Sequence, residues 1–153
     1  MEKAALRVPR KIRFGSDFSG MDGWLVALKR LKVDIVHEFS SDTAPACRKY
    51  IQRAHQPKVC FRSVLDRTPE QEEYTDLYTW SPPCQDFSVA GKSAGLEGSR
   101  RVGQLVKASL PIKRKRPRVT LFENVPTLDS YKKFRQGLVK CLGDLGYEVH
   151  SKV

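Results

Sequence analysis

The chain contains no run of apolar residues that approaches the roughly 20 needed to span a bilayer as a helix. Its N-terminal stretch, MEKAALRVPRKIRF, also lacks the apolar core of a secretory signal peptide. Its four cysteines form no C-x-x-C pair, which argues against a zinc site or a disulfide framework. These absences predict an intracellular protein with no membrane partner and no metal. We expect it in the nucleus of a eukaryote, or in the cytoplasm or nucleoid of a prokaryote.

Acidic residues are scarce relative to basic ones. The 28 lysines and arginines outnumber the 17 aspartates and glutamates, which gives a formal net charge of +11. Such an excess favours a polyanionic partner, because lysines and arginines that neutralise phosphates release counterions. The densest basic run, KRKRPR at 113–118, fits a solvated connection between a helix and a strand, a nuclear-import signal or a phosphate contact.

Strand-like and helix-like segments alternate along the chain. Short β-rich runs occur in KIRFGSDFSG, VDIVHEF, KVCF, DLYTW, RVTLFENV and YEVHSKV. Apolar residues at helical spacing lie between most of them, and Pro111 is expected to end or bend the helix that contains it. The alternation predicts an α/β domain with a mostly parallel, doubly wound sheet. In such sheets, ligands bind beyond the carboxyl ends of the strands.

Two features near the first strands suggest a cofactor that contains a nucleoside. The segment DFSGMDGW at 17–24 has glycines that would let the backbone approach a ligand at the start of a helix. Glu38 is expected to end the second strand, where a carboxylate can accept hydrogen bonds from ribose hydroxyls. The alternative for the glycine segment is a plain tight turn, and the alternative for Glu38 is an ordinary surface carboxylate. Asp42 or Thr43, before Pro45, is expected to cap the next helix.

Cys84 has unusual neighbours, because Pro82 and Pro83 directly precede it. Proline fixes φ and disfavours helix in the residue before it, so this segment is expected to form a stiff, extended arm. A thiol held at the tip of such an arm is suited to act as a nucleophile. Glu123, in FENVP, follows a neighbouring strand and could place a carboxylic acid beside the thiol. A structural loop that happens to contain a cysteine is the alternative.

In this order, the motifs resemble those of the cytosine-5 DNA methyltransferase family over nearly the whole chain. The resemblance is carried by DFSGMDG (17–23), Glu38, PPCQDFSVAG (82–91) and ENV (123–125). It implies a Rossmann-like, S-adenosylmethionine-dependent methyltransferase fold and a DNA substrate whose target cytosine is flipped out of the helix. It also implies that residues 1–153 are one partial catalytic domain, incomplete at its C-terminal end, to which a second chain could supply the recognition region.

The resemblance also implies a role for individual residues. Cys84 would add to carbon 6 of the cytosine while Glu123 binds the ring at nitrogen 3, and Asn124 and Pro83 would hold the loops that shape the pocket. Glu38 would contact the ribose of the cofactor. The full set of residues implied to bind S-adenosylmethionine is Phe18, Ser19, Gly20, Met21, Gly23, Glu38, Phe39, Ser63 and Pro82.

Several positions depart from the family pattern. Asp22 replaces a glycine of the cofactor loop and is expected to narrow or repel part of the cofactor site. Asp86 replaces the glycine or proline that usually follows Pro-Cys-Gln. Ser63 stands where an aspartate commonly contacts the adenine amino group, with Asp66 slightly displaced. Two alternatives to a DNA methyltransferase stay open. One is a related enzyme that shares these motifs and methylates cytosine in transfer RNA. The other, which the departures favour, is a methyltransferase-like module that binds DNA or partners without catalysis.

Overall fold

The protein forms one parallel sheet with helices between its strands. The computed structural model describes residues 11–83, 100–126, 128 and 131–152. The strands are β1 (Ile12–Asp17), β2 (Ile35–Ser41), β3 (Val59–Phe61), β4 (Leu77–Trp80) and β5 (Val119–Phe122), and the helices are α1 (Gly23–Arg30), α2 (Pro45–Ala54), α3 (Arg100–Lys115) and α4 (Lys132–Asp144). The five strands pair in the order β3-β2-β1-β4-β5, and every pair is parallel. The predicted parallel α/β sheet is confirmed. No described helix is long and apolar enough to cross a membrane.

Both faces of the sheet carry a hydrophobic core. Phe14 and Leu77 pack with Leu25 of α1 on one face. On the other face, Tyr78 and Trp80 join a larger cluster that includes side chains from α3 and α4. The neighbours Leu77 and Tyr78 serve opposite faces, because successive side chains of a strand alternate in direction. The sheet is therefore covered on both sides, as an all-parallel sheet requires.

The direction of the chain through the sheet reverses between β1 and β4. From β1 the chain continues to β2 and β3 on one side, and it later passes from β4 to β5 on the other. At such a switch point, the connections diverge and leave a crevice at the carboxyl edge of the sheet. The glycine loop (residues 18–22) follows β1, and the proline arm (residues 81–83) follows β4. The Ser81 N–H donates to the Asp17 carbonyl at 3.3 Å, so both segments start at this crevice.

Helix α3 continues through Pro111 to Lys115, so of the two expected outcomes the proline does not end the helix. The Tyr78 hydroxyl of β4 lies 2.8 Å from the Ala108 carbonyl, so the strand contacts the helix in the turn before the proline. Residues 147–152 form no strand, whereas YEVHSKV predicts one. A strand needs a neighbour for its backbone hydrogen bonds, and none of the described strands pairs with this segment.

Part of the basic run at 113–118 is used inside the fold. Arg114 donates to the buried carboxylate of Glu72 at 3.1 Å. Arg116 donates to the carbonyl of Leu145, just beyond α4. These contacts hold the end of α3 against neighbouring segments. For these two arginines, they favour the interpretation of the run as a connection between a helix and a strand.

Gly15, in the middle of β1, has no room for a side chain. A Cβ built on it would lie 2.5 Å from Cε1 of Phe39 and 2.8 Å from Cγ2 of Thr75. We expect Gly15→Ala to lower the free energy of unfolding by about 1–3 kcal/mol, because an overpacked site displaces its neighbours. Urea denaturation measures the change.

The matched control is Gly137→Ala in α4. Gly137 is exposed, and nothing described lies within 4 Å of a Cβ built on it. Alanine at a helical glycine should therefore raise the free energy of unfolding by up to about 1 kcal/mol. A Gly15→Ala protein as stable as the wild type would show that Phe39 and Thr75 yield without cost.

Candidate active site

A buried ion pair fixes the carboxyl end of β1. The Arg67 guanidinium donates to the two carboxylate oxygens of Asp17 at 2.9 and 2.7 Å, and both side chains are fully buried. The hydroxyls of Ser41 and Tyr78 donate to the same carboxylate, that of Tyr78 at 2.6 Å. Asp17 thereby ties β1 to β2, to β4 and to the segment after β3. Because Phe18 follows directly, this cluster determines where the glycine loop begins.

Burial and charge set the protonation states of this cluster. Burial, together with the neighbouring Asp17 carboxylate, raises the pKa of Tyr78 well above its ordinary value, so the hydroxyl stays a donor. Burial by itself would lower the pKa of Arg67, but the attraction of Asp17 outweighs it and the pKa is raised. The guanidinium also lies over Phe39, with Cζ 4.7 Å from the ring centroid. Arg67 is therefore a fixed positive charge under the site.

The glycine loop has an unusual backbone and an open outer side. Phe18, Gly20 and Asp22 have φ angles of 55°, 55° and 59°, in the left-handed region that L side chains rarely adopt. Within the described residues, no atom lies within 4 Å of a Cβ built on Gly20 or Gly23. The backbone is thus open to a ligand at the start of α1, as the glycines predict. Met21 is 57% exposed on the same loop.

The Asp22 carboxylate does not face the open side of the loop. Its side chain is 1% exposed and accepts hydrogen bonds from hydroxyls inside the protein. The expectation that Asp22 narrows or repels the cofactor site is therefore wrong. The sequence could not show this, because the buried donors come from strands rather than from the loop itself.

Ser19 and Asp42 hold the glycine loop against the end of β2. The Ser19 N–H donates to the Ser41 carbonyl at 2.9 Å, and the Ser19 Oγ accepts from the Ser41 N–H at 3.0 Å. Asp42 accepts from the Gly20 N–H with Oδ2 and from the Ala44 N–H with Oδ1, both at 2.8 Å. Each carboxylate oxygen can accept a further hydrogen bond. Asp42 directly follows β2, so its carboxylate is the one that lies at the carboxyl end of this strand.

The sequence predicted that Glu38 ends the second strand. In the structure, β2 continues to Ser41, so Glu38 lies within the strand. Its buried carboxylate lies 2.8 Å from Nε of Arg13 and 2.8 Å from Nζ of Lys58. Burial would raise the pKa of Glu38, but hydrogen bonds from Lys58 and Arg13 outweigh it and lower the pKa. Phe39 is 2% exposed and belongs to the core. These placements do not support the predicted cofactor contacts of Glu38 and Phe39.

The sequence did not predict that Asp42 lies at the candidate site, because the strand that precedes it ends in two serines. Ser40 and Ser41 resemble the start of a turn, yet both are buried strand residues whose hydroxyls bond to carboxylates. The pattern assigned Asp42 only to the cap of α2. Asp42 is the acidic residue nearest to Pro45, where α2 begins. This position is the signal that could have identified it.

Asn124 joins the two segments expected to carry the chemistry. Its Nδ2 donates to the carbonyl of Pro82, in the proline arm, at 3.0 Å. Its Oδ1 accepts from the Val125 N–H at 2.9 Å, which fixes the orientation of the amide. Pro82 is buried and Pro83 is exposed. The proline arm is thus held by its backbone at a point just before Cys84.

Glu123 lies beside the proline arm. Its N–H donates to the Trp80 carbonyl at 3.2 Å, which extends the β4–β5 ladder to the start of the arm. Its side chain is exposed, so the carboxyl group is accessible from solvent. Cys84 and Asp86 lie outside the described residues. The structure therefore brings Glu123 close to the backbone that leads into Cys84.

Ser63 lies at the same edge, just beyond β3. Its Oγ accepts from the Leu65 N–H at 3.1 Å, and the side chain is half-buried. The neighbouring Asp66 is exposed. Because all five strands are parallel, the segments that follow them start along one edge of the sheet. No group of three or more His, Cys, Asp or Glu side chains in the described part of the chain is arranged to hold a metal ion.

The sheet order, the open glycine loop and the joined ends of β4 and β5 define a Rossmann-like methyltransferase fold. A family model described as C-5 cytosine-specific DNA methylase matches residues 12–153. The chain belongs to this C-5 cytosine-specific DNA methylase family.

Individual relatives agree with this assignment. The Type II methyltransferase M.HhaI of Haemophilus parahaemolyticus is 27% identical over 147 residues, which cover 93% of this chain and 43% of the relative. The Type II methyltransferase M.NgoBI of Neisseria gonorrhoeae is 32% identical over 139 residues, which cover 89% and 42%. The crystal structure of the S. pombe Dnmt2 methyltransferase has a TM-score of 0.56 at 21% identity, covers 86% of this chain and supports the fold. The chain spans less than half the length of each of these proteins.

The lowered pKa of Glu38 makes the stability of the fold depend on pH. A carboxylate whose pKa is lower in the folded state stabilises the fold above its unfolded pKa, near the ordinary value of 4.5, and this contribution is lost as the pH falls through the folded pKa. We expect the free energy of unfolding to decrease on acidification from about pH 6 to about pH 3. Glu38→Gln should flatten this dependence and cost about 1–3 kcal/mol at neutral pH. Urea denaturation across the pH range measures both effects.

The control is Glu73→Gln. Glu73 also contacts Arg13, at 3.3 Å, but its side chain is 54% exposed. This substitution should leave stability and its pH dependence nearly unchanged. Identical pH profiles for the two variants would contradict a structural role for Glu38.

Proposed function

We propose that the chain is the cofactor-binding and catalytic part of an S-adenosylmethionine-dependent DNA (cytosine-5) methyltransferase. The observation that carries the proposal is the hydrogen bond from Asn124 to the Pro82 carbonyl, which links the segment before Cys84 to the segment that bears Glu123. The family description names cytosine C-5 and DNA as the target. Further polypeptide, in the same or a second chain, would supply recognition of the target sequence.

The ends of β1 and β2 suit S-adenosylmethionine. The open space beside Gly20 and Gly23 leaves the loop backbone accessible, and the N-terminus of α1 begins there. We assign the ribose contact to Asp42 rather than to Glu38, since two cations already occupy the Glu38 carboxylate. Ser63, further along the edge, would face the adenine. When bound, S-adenosylmethionine supplies an electrophilic methyl group.

The residues of the chain would activate the cytosine. The Cys84 thiolate forms a bond to carbon 6 of a flipped-out cytosine as the double bond between carbons 5 and 6 breaks. Glu123 donates to nitrogen 3 and stabilises the charge that moves into the ring. Carbon 5 then becomes nucleophilic and would form a bond to the methyl group that S-adenosylmethionine supplies. Loss of the proton from carbon 5 to a water molecule would then restore the double bond and release Cys84. The stiff proline arm, tied down by Asn124, would keep the thiol in line with the ring.

Covalent trapping tests this assignment. We expect the chain, incubated with S-adenosylmethionine and duplex DNA that contains 5-fluorocytosine, to form an adduct that resists denaturation. Fluorine at carbon 5 prevents the proton loss that would release Cys84. Cys84→Ser should abolish the adduct, which denaturing electrophoresis measures.

Cys141→Ser is the matched control for the trap. Cys141 is a free, exposed thiol in α4, and its removal should leave the adduct intact. An adduct that persists in Cys84→Ser would refute the nucleophile. An adduct with 5-fluorocytosine RNA but not with DNA would instead assign the chain to RNA. No adduct with either, even when a recognition region is supplied in trans, would favour a non-catalytic module.

The ribose assignment predicts different effects for two carboxylates. We expect Asp42→Asn to weaken S-adenosylmethionine binding about tenfold, because a charge-assisted hydrogen bond contributes about 1.5–3 kcal/mol. Glu38→Gln should change the dissociation constant by less than about twofold, a shift well under 1 kcal/mol. Isothermal titration calorimetry measures both. The reverse ranking would return the ribose contact to Glu38.

A further inference from the structure

Asp22 adopts a backbone conformation that normally favours glycine. It has φ 59° and ψ 52° directly before α1, at the position where the family pattern has a glycine. Aspartate is among the few residues that adopt this left-handed conformation, although at a steric cost that glycine avoids. Strain of this kind persists only where surrounding contacts hold it. The contacts of the Asp22 side chain are therefore informative.

One oxygen of Asp22 connects the loop to two strands. Its Oδ2 accepts from the Ser40 hydroxyl of β2 at 2.6 Å and from the Ser16 hydroxyl of β1 at 3.1 Å. Nε2 of the buried His37 lies 2.7 Å from the Ser40 Oγ and 3.4 Å from Oδ2. Ser16, Ser40 and Asp22 are each no more than 2% exposed. Hydrogen bonds to a carboxylate shielded from water in this way are strong.

This anchor acts on the whole glycine loop. The Asp22 N–H donates to the Ser19 carbonyl at 2.7 Å, and the Ser19 Oγ lies 2.7 Å from the Ser16 Oγ. Both ends of the loop are therefore held against the sheet. Gly20 and Met21 lie between these fixed ends, on the open side.

We propose that Asp22 is a positioning residue, whose buried carboxylate locks the glycine loop in the conformation that receives the cofactor. The inference rests on the proposed S-adenosylmethionine site and concerns a residue that touches the cofactor only through the loop. A glycine at this position adopts the same φ without strain but has no side chain with which to hold it. The contacts of Asp22 with Ser16, Ser40 and His37 hold the loop in one conformation, whereas a glycine would leave it free to move.

Amide hydrogen exchange of the chain without cofactor tests the anchor. We expect Asp22→Gly and Ser40→Ala to speed exchange at Ser19 and Gly20 by about tenfold or more, because the loop opens more often. Asp22→Asn keeps an acceptor oxygen and tolerates the left-handed conformation, so most of the protection should remain. Amides of α4 serve as the internal control. Unchanged protection at Ser19 and Gly20 in Asp22→Gly would overturn the proposal.

Cofactor affinity separates positioning from a general effect on stability. In titrations with S-adenosylmethionine, Asp22→Gly should bind about five- to tenfold more weakly, because part of the binding energy must then order the loop. Asp22→Asn should bind within about twofold of the wild type, even if a buried amide lowers its urea stability. The exposed Asp34→Asn is the control for loss of one negative charge. Equal or tighter binding by Asp22→Gly, or affinities that follow urea stability alone, would overturn the proposal.

The two measurements also separate this inference from the proposed cofactor. Faster exchange in Asp22→Gly, combined with no S-adenosylmethionine binding by the wild-type chain, would support the anchor and overturn the proposed cofactor. Binding by the wild type with unchanged exchange in Asp22→Gly would support the cofactor and overturn the anchor.

Discussion

The buried pair of Asp17 and Arg67 is the interaction on which the carboxyl edge of the sheet depends. Two charges removed from water are tolerated only where good geometry and further hydrogen bonds compensate for desolvation. Here, Ser41 and Tyr78 add donors to Asp17, and the ring of Phe39 covers the guanidinium. Loss of one partner would leave an uncompensated buried charge, at a cost of about 3–5 kcal/mol. That is a large share of the roughly 5–15 kcal/mol by which a domain is stable.

The same edge is polar beneath the surface, and its buried hydroxyls donate to the carboxylates at either end of the glycine loop. The carboxyl halves of β1 and β2 bury Ser16, Ser40 and Ser41, residues that a purely structural sheet would replace with apolar ones. Their hydroxyls reach the carboxylates of Asp17 and Asp22, which flank the glycine loop. The left-handed backbone of the loop is therefore supported from below, while its outer side stays open. A rigid, open loop binds a ligand without first paying the entropy of ordering.

Most of the fold could be predicted from the sequence, because strand periodicity and turn residues are local signals. The apolar runs before the glycine loop and before Pro82 become β1 and β4, and the glycines open the loop as expected. The predictions failed where the outcome depends on distant partners. Residues 147–152 lack the predicted strand, since pairing cannot be read from one segment.

By itself, the sequence determined the family, because the order of the glycine loop, Pro-Cys-Gln and Glu-Asn-Val is a property of the chain. Tertiary structure decided where each carboxylate lies and which groups it contacts. Glu38 and Asp42 are equally acidic in sequence, yet β2 buries the first between two cations and leaves the second at the open edge. Asp22 is directed inward by serines from two strands. These assignments depend on strand ends and on hydrogen bonds between distant segments, which form only when the sheet pairs.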